Sequence, residues 1–265
     1  MSITSNPQSV FNITGKVVLI TGASGAFGVV AAQVFASAGC KLVLAAGNND
    51  QLIKVADQCR TLGAEVVAIN ARPKNEESCQ NLVKAAVDVF GAVDILVVAS
   101  GMNKVAPIEE MPVDVFSSVM DANTTQSWLL AQSVTRQMKK QGTAGKIIFV
   151  SSARGLLGHP NGYTAYCASK AAVDGITKAL GCELGSSGIT VNAIAPTVFR
   201  SPLTAWMFED TEEAKKVRDG FLSRVPLGRL GEPEDFVGPL LFLASKASDF
   251  YTGHVLYADG GYTAG

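Results

Sequence analysis

The stretch KVVLITGASGAFG, residues 16–28, decides the fold. Residues 17–20 are apolar without alternation, which reads as a strand buried on both faces. The glycine-rich run TGASGAFG follows at 21–28, and residues 26–38 read as a small-residue helix stopped by Gly39. In this strand–turn–helix context Gly22 allows a tight turn, and Gly28 lets the helix pack closely on the sheet. Backbone N–H groups at the positive helix start then favour a pyrophosphate. The competing reading of the same residues is a tight turn without a ligand.

Outward from this unit, apolar runs alternate with helical patterns. Strands are expected at 16–21, 41–46, 65–70, 94–99, 146–151, 189–194 and near 255–257. Helices are expected at about 50–62, 76–90, 112–140, 164–184 and 233–243. Pro112 suits a first-turn position. Short apolar strands separated by helices indicate an α/β fold: a single doubly wound parallel sheet, Rossmann-like, with helices on both faces. Residues 1–13 read as an N-terminal tail, and 14–265 as one dinucleotide-binding catalytic domain with an insertion near 200–224. Ligands of such sheets bind beyond the carboxyl ends of the strands.

Composition narrows the class. The chain has 265 residues, 48% of them hydrophobic and 17% charged, which argues against disorder. Lys plus Arg is 22 against 23 for Asp plus Glu, so no global field draws nucleic acid or an anionic membrane, although a local patch stays open. Five cysteines without a C-x-x-C spacing read as reduced thiols of a cytoplasmic protein. His159 and His254 are too far apart for a histidine metal motif, and no metal is expected. The first dozen residues lack the pattern of a signal peptide, and no run reaches the roughly 18 apolar residues that span a bilayer.

The chemistry is carried by YCASK, residues 166–170, about fourteen residues after Ser152. On a helix, Tyr166 and Lys170 share a face. A nearby cation stabilises a phenolate and lowers a tyrosine pKa from about 10. Such a phenol gives a proton to a carbonyl oxygen or takes one from an alcohol, and a serine hydroxyl at a strand end orients the same oxygen. Alone, the motif also fits an ordinary surface Tyr–Lys pair. Adjacent strand residues face opposite sides, so one of Ser151 and Ser152 serves. Tyr163 has Cys167, not lysine, four residues on.

From about Thr14 to the C-terminus the order of glycine turn, serine strand and Tyr/Lys helix resembles the short-chain dehydrogenase/reductase family. TGASGAFG is similar to its TGxxxGxG turn, with Ala26 at the middle glycine. ITVNAIAP (189–196) with Ser201, Pro202 and Leu203 resembles the strand and loop that hold the nicotinamide amide, and YTGHVLYADGGY (251–262) resembles the closing strand and turn. The resemblance implies reversible hydride transfer between a nicotinamide cofactor and a carbonyl or secondary alcohol. Tyr166 is then the general acid/base, Lys170 tunes it and holds the ribose, Ser152 positions substrate, and Asn123 supports a proton relay. Cofactor contacts are implied at Gly22, Ser24, Ala26, Phe27, Gly28, Gly47, Arg72, Ala99, Gly101, Tyr166, Lys170, Val198 and Ser201. An epimerase or dehydratase on the same scaffold, or a non-catalytic nucleotide-binding regulator, are the alternatives.

The sequence departs from the family pattern in places. Val98, Ala99, Ser100 and Gly101 stand where Asn-Asn-Ala-Gly is usual, so backbone groups served by two amides need other partners. Pro196-Thr197 replaces Pro-Gly. At the end of strand two, Ala46 stands at the place of the acid that selects NAD, and Gly47 at that of the arginine common in NADP enzymes. Arg72, which replaces an aspartate near the adenine, is suited to stacking on adenine or pairing with a 2′-phosphate, and the expectation leans to NADP over NAD. An exposed arginine before Pro73 is the plainer alternative.

Substrate is expected among the loops 102–107, 154–164 and 200–224, with Met102, Asn103, Arg154, His159 and Trp206 as candidate contacts. Trp206, Met207 and Phe208 either close over the site as an apolar lid or pack on the body. The helices from Pro112 and after Tyr166 carry apolar residues on more than one face. The resemblance implies that they pair across subunits of a homotetramer, and a monomer with a thick core is the alternative.

Overall fold

In β1, Val17–Thr21, every residue is buried. Val18 and Ile20 enter one apolar cluster, and Val17 and Leu19 enter another. Successive strand side chains point to opposite faces, so β1 has a packed layer on either side. The computed structural model describes residues 6–202 and 204–265. Around β1 it places β2 (Lys41–Ala45), β3 (Val66–Ile69), β4 (Ile95–Val98), β5 (Gly145–Val150), β6 (Ile189–Pro196) and β7 (Val255–Ala258). They form one sheet in the order β3-β2-β1-β4-β5-β6-β7, with every pairing parallel.

The helices divide between the two faces. α1 (Ala26–Ser37), α2 (Asn49–Thr61) and α8 (Glu234–Ala244) pack on the Val18/Ile20 side. α3 (Glu76–Phe90), α5 (Gln126–Gln141) and α6 (Thr164–Leu184) pack on the Val17/Leu19 side. The chain runs one way from β1 to β3 and the other way from β4 to β7. A crevice therefore opens between the carboxyl ends of β1 and β4, where the order reverses.

Most elements lie within two residues of their expected places, and α3 and α6 match residue for residue. The expected helix over 112–140 is divided: α4 (Val113–Met120), a π-helical turn (Asp121–Thr125) and then α5. Pro112 sits at the N-cap of α4, one position earlier than its first turn. The expected insertion holds a 3-10 turn at Ala205–Phe208 and α7 (Glu212–Leu222), which Thr211 caps through the Ala214 N–H. Residues 1–5 of the expected tail, and Leu203 of the expected nicotinamide loop, lie outside the described residues. Pro7–Phe11 form a 3-10 turn, and Ile13 joins the apolar core. Among the described residues no helix is long and apolar enough to cross a membrane.

Phe236 of α8 is fully buried, and its ring centroid lies 4.8 Å from that of Phe27 in the glycine turn. It ties the helix after the glycine turn to α8. Truncating a buried phenylalanine leaves a cavity and removes transfer energy together, about 3–5 kcal/mol. Phe236→Ala should lower the unfolding free energy by that amount in urea titrations. A loss below about 1 kcal/mol would show that this contact does not hold the turn.

Candidate active site

The glycine turn is built by close approach. Gly22 has φ +71°, and a β-carbon there would come within 2.6 Å of the Ser100 Cα in the segment after β4. A β-carbon on Gly28 would lie 2.7 Å from the Gly22 carbonyl carbon. Gly25 begins α1 without a side-chain cap, and the first turn holds no acidic residue. The opening N–H groups of α1 and its positive end thus face the crevice without a carboxylate from their own turn. That cradle fits a pyrophosphate. Ser24 and Ala26 are half-buried in the turn. Phe27 packs edge-on against Phe199, with centroids 5.2 Å apart, so its ring serves packing and leaves its backbone for a ligand.

At the end of β2, Ala46 is buried and Gly47 is exposed. Arg72 crosses from the segment after β3 to lie against Gly47. A β-carbon at Gly47 would sit 3.1 Å from the Arg72 Cζ and Nη2. The absence of a side chain at Gly47 is therefore what admits the guanidinium. Asn70 fixes this corner by donating to the Ala46 carbonyl at 3.0 Å.

The segment after β4, which lacks the two amides, continues the β1–β4 ladder and meets Thr21. Ala99 N–H donates to the Thr21 carbonyl at 3.0 Å, and the Ser100 hydroxyl lies 3.2 Å from that of Thr21. Gly101 turns toward α6: a β-carbon there would be 3.0 Å from Asn123 Oδ1 and 3.7 Å from Lys170 Nζ. The Asn123 side chain accepts from the Met102 N–H at 2.7 Å and donates to the Met102 carbonyl at 2.9 Å. It also donates to the Ser169 hydroxyl at 2.8 Å. Asn103 and the residues up to Val105 are exposed.

Tyr166 and Lys170 share one face of α6, and the Lys170 Nζ lies 5.7 Å from the Tyr166 ring centroid. Lys170 is buried and donates to the Val150 carbonyl at 2.9 Å. Burial pushes its ammonium down to about 8, against the pull of the Asp174 carboxylate. The expectation that the neighbouring cation lowers the phenol pKa is not met in this state. Burial pushes Tyr166 above its ordinary value, and the Ser152 hydroxyl and the Arg154 charge draw it back. The two serines divide as strand geometry requires: Ser152 faces Tyr166, whereas the Ser151 hydroxyl donates to Asp174. Asp174 was not singled out from the sequence, although its spacing of four beyond Lys170 puts it on the same helical face.

Around this pair the loops supply a mixed wall. Arg154 N–H donates to Ser152 Oγ at 3.1 Å, and its guanidinium donates to the Gly158 carbonyl and to the Tyr262 hydroxyl. The His159 ring lies 4.2 Å from that of Tyr163, which meets Tyr166 edge-on at 6.4 Å. Tyr163 is thus a neighbour of the phenol. Val198 accepts from the Gly231 N–H, and the Ser201 and Thr204 hydroxyls lie 2.9 Å apart, both past the end of β6. Thr197 needs no positive φ, since among the described residues none but glycine has one. The expected lid divides: Met207 is buried in the body, Trp206 is exposed, and Phe208 lies under the Arg200 guanidinium at 3.7 Å.

A cavity of about 620 Å³ lies at the opposite, amino ends of the strands, among Ile13, Ile95, Ile189 and Phe250. It contains none of these groups, so chemistry and not cavity volume locates the site.

The family model described as enoyl-(acyl carrier protein) reductase matches residues 22–263. An uncharacterized oxidoreductase of Mycobacterium tuberculosis is 48% identical over 254 residues, covering 96% of this chain and 93% of the relative. The crystal structure of a short-chain type dehydrogenase/reductase from Mycobacterium marinum is 33% identical, covers 100% of both chains and superposes with a TM-score of 0.88. A gluconate 5-dehydrogenase from Burkholderia cenocepacia, in complex with NADP and tartrate, is 29% identical with a TM-score of 0.88, over 98% of this chain and 100% of that one. Through the glycine turn, the parallel sheet and nearly the whole length of these relatives, the chain belongs to the short-chain dehydrogenase/reductase family of nicotinamide-dependent oxidoreductases.

Proposed function

We propose that Tyr166 is the general acid/base of this oxidoreductase, with Ser152, Lys170 and Asn123 acting on it or beside it. The observation that carries this reading is the convergence on Tyr166 of the Ser152 hydroxyl and the buried Lys170 ammonium. The glycine turn would hold the pyrophosphate of a nicotinamide dinucleotide, which when bound would supply or receive the hydride. In reduction the Tyr166 O–H gives its proton to the substrate oxygen while Ser152 holds that oxygen; in oxidation the phenolate takes the proton back. Lys170 favours the phenolate by charge, and Asn123 holds Met102 and Ser169 so that α6 keeps its place.

NADP is proposed as the preferred cofactor. Arg72 lies in the space that Gly47 leaves, and Ala46 presents no carboxylate to repel a 2′-phosphate. The chain from 14 to 265 is proposed as one catalytic domain, working in the cytoplasm as a homotetramer. The exposed Val113 and Phe116 of α4 and Trp128 of α5 support burial of that face between subunits.

Tyr166→Phe should retain cofactor binding and lose turnover by a factor of 10² or more, in line with a general acid/base. Wild-type turnover in that variant would overturn the assignment. Because the phenol pKa is raised, oxidation, which needs the phenolate, should accelerate as pH rises through the alkaline range, whereas reduction should hold at lower pH. A pH-independent oxidation rate would contradict it.

Lys170 gives a second, separable expectation. Its folded-state pKa is depressed from 10.5 to about 8, so the native state resists this charge below pH 8, and the cost is relieved as pH rises toward 10.5. Lys170→Met should abolish turnover yet melt no lower than wild type at pH 7 by calorimetry. A marked fall in Tm would show that the ammonium stabilises the fold.

Arg72→Ala should weaken NADPH binding about tenfold, the size of one exposed charge–phosphate contact of about 1.4 kcal/mol. NADH titrated in parallel by nicotinamide fluorescence should be unaffected. Equal losses for both cofactors would remove Arg72 as the selector.

A further inference from the structure

Among the described residues, Arg154 beside the proposed acid/base and Arg224 near it have no acidic partner. Arg154 belongs to the loop after β5, and Arg224 follows α7, yet both meet the ring of Tyr262. The Arg154 Cζ lies 5.3 Å from its centroid, and the Arg224 Cζ 4.6 Å. Phe221 stacks on the same ring at 5.0 Å, which fixes the platform on which both charges rest. The nearest acid in sequence, Asp259, is engaged elsewhere: its carboxylate accepts from the N–H groups of Gly261 and Thr263 and from the Thr263 hydroxyl.

Four of the six other arginines are treated differently, while Arg72 lies against Gly47 and Arg218 donates to the Met207 and Glu209 carbonyls. Arg60, Arg136, Arg200 and Arg229 are each matched to a carboxylate: Asp57, Glu76, Glu232 and Asp235. Among the described residues Arg154 and Arg224 have no carboxylate within 4.0 Å. Bringing two guanidinium groups to one ring without a counter-charge costs Coulomb energy, which cation–π contact offsets only in part. The cost is recovered when an anion arrives.

The position of Arg154 relative to the chemistry is direct, and Arg224 joins it across the Tyr262 ring. Arg154 stands two residues after Ser152 and donates its N–H to that hydroxyl. The positive charge of both arginines also reaches His159, which burial and these two neighbours hold toward its neutral form. His159 packs on Tyr163, and Tyr163 on Tyr166, so the charged cluster and the phenol form one continuous wall.

We propose that Arg154 and Arg224 form an anion subsite beside Ser152 and Tyr166, so that the enzyme's substrate is a ketone or secondary alcohol bearing a carboxylate or a phosphate ester. This rests on the hydride-transfer site proposed above. The planar fork of a guanidinium matches the paired oxygens of either group. Neutral His159 adds a hydrogen-bonding ring to the wall without competing for the charge. The arginines act on binding and orientation, not on the hydride step, and so they select among substrates that the same phenol can serve.

The subsite is read in two ways. Ketone reduction is followed by NADPH oxidation on matched pairs: acetoacetate against ethyl acetoacetate, and dihydroxyacetone phosphate against dihydroxyacetone. The charged member of a pair should have at least a tenfold higher kcat/KM, with the carboxylate and phosphate pairs showing which anion is preferred. In Arg154→Gln and Arg224→Gln that ratio should fall about tenfold, chiefly through KM, with partial recovery in Arg154→Lys. A preference for the neutral ketones, or a ratio unchanged in both variants, would overturn the proposal.

The second reading needs no turnover. NADPH-saturated full-length protein is titrated calorimetrically with malonate and with inorganic phosphate, glycerol being the neutral control. Saturable binding of an anion, weakened about tenfold in each glutamine variant, supports the subsite even if no ketone of the panel is reduced. Absence of anion binding in the wild type would sink it, while Tyr166→Phe reports separately on the hydride-transfer assignment.

Discussion

The carboxamide of Asn123 is buried, and all of its bonds go to two other parts of the chain. Through Met102 it fixes the exit of β4, and through Ser169 it fixes the helix that carries Tyr166 and Lys170. A buried amide left without partners would cost about 1–3 kcal/mol for each lost group, so neither segment moves without the other. The π-helical turn at Asp121–Thr125 is the local departure that accompanies this arrangement, and the Ser127 hydroxyl bonds the Asn123 carbonyl within it. Such turns occur often at functional sites. Here the widened turn gives one residue both a side chain committed inward and a backbone carbonyl held by a neighbour's hydroxyl.

What that anchor holds in place is an electrostatic conflict. Lys170 is a cation in a site that disfavours charge, and Tyr166 is an acid in a site that disfavours its anion. Each burial cost falls when the two ionise together, because opposite charges attract most strongly where water is scarce. Asp174 sits behind them, itself pushed toward its neutral form by burial and held by the Ser151 hydroxyl. The two adjacent serines thus attend opposite ends of the same helical face. Ser152 faces Tyr166, and Ser151 restrains the carboxylate that draws the Lys170 ammonium toward its charged form.

The sheet was legible because burial on two faces leaves an unbroken apolar run, and Gly39 and Gly63 mark the ends of the first two helices. The chain order and the carboxyl-end location of the site followed from topology alone. Local spacing also revealed the Tyr166–Lys170 pair, since four residues define one helical face. It did not reveal the π turn: Asp121, Asn123, Thr124 and Thr125 are weak helix formers, but their order does not set a π turn apart from an α-helix, and the Asn123–Met102 contact beside it spans 21 residues. Nor did it bring Arg224 to Arg154, for that meeting is made by Tyr262, which follows the last strand. Contacts assembled from three distant segments have no period. The Gly47–Arg72 contact lies between these cases: both residues could be singled out, and only the fold brought one against the other.

The segment Val98–Gly101 shows why a departure from a family pattern need not weaken a fold. The two missing amides would have bonded the backbone of the crevice. Here the Ala99 N–H continues the β1–β4 ladder by donating to the Thr21 carbonyl, and the Ser100 and Thr21 hydroxyls meet. Val98 then gains full burial in the sheet as an apolar residue, where an amide would have needed partners. The segment keeps the close approach of Gly22 to Ser100. That close approach is the feature a phosphate cradle cannot lose. It depends on the absence of a side chain at Gly22, which this sequence has kept.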